Sequence, residues 1–307
     1  MFDVNNDRKD VSMREYTIAL AGPPYSETIH VFNALTGMNQ CTEYWPGTML
    51  KKLQGKFLDG DIAYHFLCLP DVSTLLSRSE KETIIQNILM LSPPDATVII
   101  CDASNMKETL SFLLQVLELT QKVLVFVITK GSNDQAIDFD VLSSLLKIPF
   151  IVAPYRKTEG LVTLIDTLDY LINTSDCEPY LLPYPPILEE VIDCLLPYLY
   201  DYIEDSVAAR WVATRLLAND PCYDSLVKDS KPLVRMITSI QDSLSAAGID
   251  LDCYNSLLKS AYDTEAANLL SKSLSQEVTA PRNLRLTYIF LSILLLLGIV
   301  LILILRL

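Results

Sequence analysis

The sequence is short of the residues that most chemistries need. It has two histidines, His30 and His65, too few for a histidine-rich metal site. Its seven cysteines, at positions 41, 68, 101, 177, 194, 222 and 253, include no C-x-x-C pair. That scatter excludes a zinc spacing. In a chain of 307 residues it also favours reduced thiols in a cytosolic setting over a disulfide framework. Basic residues are outnumbered, 24 Lys and Arg against 38 Asp and Glu, for a formal charge of −14. So acidic a chain is a poor partner for nucleic acid, where Lys and Arg meet phosphate, and for electrostatic adsorption to anionic lipid. There is no Ser-His-Asp set, no Cys-His nucleophile pair, no internal repeat and no low-complexity tract. Residues 1–15, MFDVNNDRKDVSMRE, are polar, read as a flexible N-terminus and do not resemble a signal peptide.

What is present centres on Gly22 to Gly37, GPPYSETIHVFNALTG. A β-like run, Tyr16–Ala21, precedes it and a helix-like run follows. In that setting backbone N–H groups and a helix N-terminus cradle phosphates. A working phosphate loop reads G-x-x-x-x-G-K-[ST]. Here Gly22 stands, but Glu27 replaces the second glycine, Thr28 the lysine and Ile29 the magnesium-binding hydroxyl. A carboxylate about 4 Å from a phosphate charge is repelled by roughly 4 kcal/mol at an effective dielectric of 20, about three orders of magnitude in affinity. Pro23 removes one more N–H from the loop.

Beyond this loop, Ala63–Leu69, Ala96–Cys101, Val123–Thr129 and Phe150–Ala153 read as strands. Between them, helices are expected at Thr28–Leu35, Ser79–Met90, Met106–Leu119 (amphipathic), Phe139–Leu146 and Leu161–Ile172, with a loop at Asn39–Gly55. Strands alternating with helices predict a mostly parallel sheet covered on both faces. Residues 16–175 are therefore expected to form one α/β domain of the P-loop NTPase type. A proline-rich hinge, 176–186, leads to a purely helical pattern, Ile187–Asp205, Ser206–Leu217, Pro232–Ala247 and Asp250–Ser273, expected to form an all-α domain at 187–278. Its acidic residues Glu189, Glu190, Asp193, Asp201, Glu204 and Asp205 read as a solvated face, the alternative being a dock for a basic partner. Last comes Leu286–Leu305, LTYIFLSILLLLGIVLILIL, uncharged and spanning roughly 30 Å as a helix, the thickness of a bilayer core. It is expected to be a transmembrane helix rather than a buried core helix, with Arg282 and Arg285 placing the soluble domains in the cytoplasm.

Phe32-Asn33-Ala34-Leu35-Thr36-Gly37, Asn39-Gln40, Trp45-Pro46-Gly47, Lys52 and Gly55-Lys56-Phe57, followed by Pro94-Asp95, Asp102-Ala103-Ser104-Asn105 and Leu114–Leu119, resemble the cytosolic G domain of ferrous iron transport protein B (FeoB). Arg210–Asp220, RWVATRLLAND, is similar to a helix of that family's helical domain. The resemblance covers roughly residues 16–225. It implies a GTP-binding cytosolic region coupled to a multi-helix ferrous iron permease. No permease counterpart is expected here, since the apolar run does not resemble the family's first permease helix.

The departures touch every nucleotide motif that the resemblance implies. The switch I threonine falls at Met49. The Asp-Leu-Pro-Gly of switch II aligns with Cys68-Leu69-Pro70-Asp71, and a thiol is a poor substitute for oxygen around magnesium. The Asn-x-x-Asp that reads guanine aligns with Thr129-Lys130-Gly131-Ser132. Gly22, Glu27, Thr28, Ile29, Cys68, Thr129 and Ser132 thus mark a nucleotide site expected not to function. No catalytic residue, no metal ligand and no cofactor are expected. A soft-metal site at His30, Cys41 and Cys68 is the weaker alternative to ordinary buried or loop residues. Asp102 and Asn105 read as turn formers, Trp45 and Trp211 as packing residues. The expected function is that of a membrane-anchored FeoB-like pseudo-GTPase. It would act as an accessory or regulatory protein in ferrous iron transport, with the membrane and either itself or a complete FeoB-like transporter as partners. Two alternatives stay open: a divergent GTPase that still takes GDP or GTP with magnesium, and a decayed gene product.

Overall fold

The computed structural model describes residues 13–40, 53–76, 79–130, 137–155, 159–174, 178–228 and 230–274. Ser132, Met49, Trp45 and Cys41 lie outside them. So does the run 286–305, and among the described residues no helix is long and apolar enough to cross a membrane. One compact unit, Met1–Ser273, holds the fold.

Six strands form one sheet: β1 (Arg14–Ala21), β2 (Gln54–Asp59), β3 (Ile62–Cys68), β4 (Ala96–Asp102), β5 (Val123–Thr129) and β6 (Phe150–Pro154), in the order β2-β3-β1-β4-β5-β6. All neighbours are parallel except β2, which pairs antiparallel with β3 from Gln54↔Leu67 to Asp59↔Ile62. The parallel strands β4 and β5 are covered on both faces, which is why they read as unbroken apolar runs, ATVIICD and VLVFVIT. β2, QGKFLD, is a half-exposed edge strand. With little to bury it carries no such run, and the sequence read its first residues as loop. Its turn into β3 passes through Gly60 at φ +56, a left-handed backbone that suits glycine.

Side chains of each strand point alternately to the two faces, so the sheet has two cores. Ile18, Leu20, Val98, Ile100, Leu124 and Phe126 meet α1 (Thr28–Thr36) and α5 (Glu159–Asn173). Ala19, Ala21, Ile99, Cys101, Val125 and Val127 share the opposite core with α2 (Glu80–Leu91), α3 (Met106–Leu117) and α4 (Phe139–Leu146). That second core continues without a break into α6 (Pro186–Leu199), α7 (Ser206–Leu217), α9 (Lys231–Ala246) and α10 (Leu251–Ser273). A short helix, α8 (Asp224–Lys228), precedes α9.

Because α10 packs on α3, α3 is buried on nearly every side. It keeps the polar stripe expected of an amphipathic helix: Lys107 and Glu108 are exposed in its first turn, and Ser111 and Gln115 continue the stripe inward to Asp263 and the Leu75 amide. In the proline-rich stretch before α6, Leu182 and Tyr184 are buried. α6 ends at Leu199, six residues before the expected Asp205. Asp205 instead caps α7, accepting from the amides of Val207 (2.8 Å) and Ala208 (3.3 Å).

Buried polar groups bolt the helical layer to the sheet. Glu118, after α3, accepts from the hydroxyls of Tyr184 and Tyr262. Arg215 of α7 pairs with Asp220 (2.8 Å) and donates to the Leu76 carbonyl (2.8 Å). Trp211, fully buried as expected of a packing residue, donates to the Tyr223 hydroxyl (2.7 Å), which reaches Gln86 of α2 (3.0 Å).

Candidate functional site

Chain order reverses about β1: the chain goes from β1 to β3 on one side and continues from β4 to β6 on the other. In such sheets the crevice at the carboxyl ends of the strands is the place for a ligand. Here it is a cleft of about 790 Å³ lined by Pro24, Tyr25, Glu27, Thr28, Ile29, His30, Asp71, Lys81, Asp102, Asn105 and Lys130. Three of the seven residues singled out from the sequence, Glu27, Thr28 and Ile29, therefore line it.

Gly22 opens the turn. A Cβ there would sit 2.5 Å from the Ile100 carbonyl oxygen and 2.5 Å from Ser26 Oγ, so only glycine fits. Glu27, in the place of the motif's second glycine, has φ +67, as does Tyr25. A left-handed conformation costs a non-glycine residue about 1 kcal/mol, and this is the physical reason for a glycine at that position. Thr28 opens α1, is buried, and shares a 2.6 Å hydrogen bond with Ser26. Ile29 is buried in the core under α1.

The carboxylate of Glu27 does not stand alone. It accepts from Lys130 Nζ (2.5 Å) and lies 3.3 Å from His30 Nδ1. Lys130, just after β5, also pairs with Asp102 at the end of β4 (2.9 Å) and sits 5.1 Å from the centre of the Tyr155 ring. The hydrogen bond to Glu27 leads the groups that raise the Lys130 pKa, ahead of the opposing effect of burial. Burial works against an ionised Asp102, but the Ser104 hydroxyl and amide, with Lys130, outweigh it and hold its carboxyl below the usual range. Asp102 also forms the turn expected of it, accepting from Ser104 N (3.0 Å) and Oγ (2.7 Å). Burial pushes the Asp71 carboxyl up to about 6, against Lys81 and a hydrogen bond from Thr28.

Cys68 is not brought to the cleft. It is wholly buried with the α1 side of the core, and burial pushes its thiol up to about 12. Among the described residues no group of three His, Cys, Asp or Glu is placed to hold a metal ion. Thr129 is half-buried and donates to the Ala153 carbonyl (3.4 Å). The segment after Cys68 is tied down between Val72 and Leu76. Val72 N donates to Gly22 O (3.3 Å), Leu75 N to Gln115 Oε1 (2.6 Å), Gln86 Nε2 to Leu75 O (2.7 Å), and Arg215 to Leu76 O. Sequence reasoning missed Lys130 as a member of the site. The available signal was a lysine at the end of a buried strand next to β4, facing a loop with an unexpected glutamate.

The family model for "Ferrous iron transport protein B" matches residues 16–168, and that for "FeoB cytosolic helical domain" matches 184–275. The chain belongs to the FeoB family. The FeoB transporter of Methanocaldococcus jannaschii is 27% identical over 247 residues, covering 76% of this chain and 36% of that protein. The FeoA–FeoB fusion protein of Porphyromonas gingivalis is 25% identical over 233 residues, covering 73% and 28%. The chain thus spans about a third of the length of these curated relatives. Solved FeoB cytosolic domains share the fold. An S. thermophilus NFeoB mutant bound to mGDP superposes with a TM-score of 0.68 at 20% identity, covering 84% of this chain and 99% of that one. The T. maritima cytosolic domain in apo form gives 0.67 at 23%, covering 85% and 99%.

Proposed function

We propose that this FeoB-family chain works as a pseudo-GTPase: a membrane-anchored accessory or regulatory protein in ferrous iron transport that does not turn over nucleotide. The observation that carries this is the charge inside the cleft. Where a phosphate-binding turn needs glycine followed by lysine, the chain places the Glu27 carboxylate and the Thr28 hydroxyl. The ammonium of Lys130 is engaged by Glu27 and Asp102. Asp71 adds a third carboxyl to the lining. A triphosphate entering here meets carboxylates in a half-buried setting, where like charges are weakly screened. The run 286–305 would supply the anchor, with the soluble part cytoplasmic.

A second reading, weak GDP or GTP binding with magnesium, draws on the surviving frame: Gly22 pressed against β4 and the open N-terminus of α1. Titration of labelled GDP and GTP into residues 1–280, with and without magnesium, separates the two. No saturation at micromolar concentrations is expected, and saturable binding there would overturn the pseudo-GTPase function.

A further inference from the structure

A turn with two left-handed non-glycine residues, Tyr25 and Glu27, is strained. In phosphate-binding loops of this shape, an anion gathered by the backbone N–H groups holds the turn in place. This chain has a different fastening. Glu27 belongs to the turn after β1, Asp102 to the end of β4 and Lys130 to the end of β5. One ammonium group bridges the two carboxylates at 2.5 and 2.9 Å. The bridge joins residues 103 apart in sequence, and the Tyr155 ring flanks the ammonium while stacking on His30 of α1.

We propose, building on the pseudo-GTPase reading, that Lys130 is a built-in latch: its ammonium ties the strained turn before α1 to the ends of β4 and β5, so the chain's own charges hold the turn in place. The state of the turn is then set by an ion pair inside the chain rather than by a nucleotide. Whatever releases Lys130 from Glu27, whether a competing cation on a partner or loss of the lysine charge by acylation, frees the turn.

The test uses the full chain in detergent micelles and two readouts. The first is amide hydrogen exchange over residues 24–31. The second is the rate at which a limiting acylating reagent modifies Lys130, followed by peptide mass spectrometry. Glu27→Gln keeps the size of the side chain and removes its charge. It should speed exchange of 24–31 at least tenfold and acylation of Lys130 at least tenfold, with α9 unchanged. Lys130→Met should speed exchange of 24–31 as much, and Lys130→Arg should restore it to the wild-type rate. Combining Glu27→Gln with Lys130→Met should add nothing further. Should Lys130→Met fail to fold, Glu27→Gln decides by the same two rates. Exchange and acylation in Glu27→Gln within twofold of wild type would overturn the latch. The functional reading fails by a separate sign, saturable GDP binding, which these rates do not report.

Discussion

Glu118 is a carboxyl group that the fold keeps out of water. It faces the hydroxyls of Tyr184 and Tyr262, with Arg210 and Glu189 as the nearest other charges. Burial raises its pKa from 4.5 to about 7, against the two tyrosine hydrogen bonds and Arg210. The folded chain therefore holds this proton more tightly than the unfolded one. The stability that follows is complete below pH 4.5 and is lost as pH rises through 7. A rise of that size corresponds to on the order of 3 kcal/mol. Glu118→Gln stays neutral at every pH and can still pair with both hydroxyls. Urea unfolding at pH 5.5 and pH 8 should show a smaller loss of stability in the variant than in the wild type, with the variant the more stable at pH 8. Equal losses in both proteins would show that Glu118 does not titrate in this range. Little of this was legible beforehand: Glu118 was read as a residue of the helix Met106–Leu119 and of the Leu114–Leu119 resemblance, and its two tyrosines lie 66 and 144 residues away in sequence.

At the scale of elements, strands buried on both sides announced themselves, and so did most helices. β1, β3, β4, β5 and β6 were readable because β-branched and aromatic residues fill them. β2 was not: QGKFLD buries no residue fully and carries no apolar run, whereas the other edge strand, β6, is apolar throughout, FIVAP. The end of α6 was overrun because Tyr200–Glu204 continues the polar and aromatic mix of the helix, while the stop is set by Asp205 starting the next one. The acidic stretch read as a solvated face is in part structural: Glu189 pairs with Arg210 (2.8 Å), and Asp205 holds the first turn of α7. Asp205→Ala should cost about 1 kcal/mol of unfolding free energy with the urea slope unchanged, whereas Asp205→Asn should cost only a fraction of that. If both substitutions cost the same, the cap is not what Asp205 contributes. Of the candidate site, the turn at Gly22–Ile29 was legible from its motif. The Lys130 pairing was not, since it depends on which strand ends the sheet order brings together.

For the molecule as a whole, the described unit has the fold of a FeoB cytosolic region, and the proposed anchor would confine it to a membrane. Confinement raises the effective concentration of a membrane partner without any new contact. The proposed partners are a second copy of the chain or a complete FeoB-like transporter. Crosslinking in native membranes followed by mass spectrometry should return one of them. Recovery of the monomer alone, with ferrous iron uptake unchanged in a deletion strain, would favour a decayed gene product.

The helix α3 has an outcome for how the chain has to be made. It lies between the sheet on one side and α10 on the other, with Ser111 bonded to Asp263 (2.8 Å) across the junction, and only its first turn, at Lys107 and Glu108, is exposed. The family knows the two halves as separate modules, but a polypeptide severed between α5 and α6 would leave this helix bare along one flank. Newly exposed apolar surface promotes aggregation. The sheet half is thus expected to lean on α10, a segment synthesised after it, for the cover of that flank.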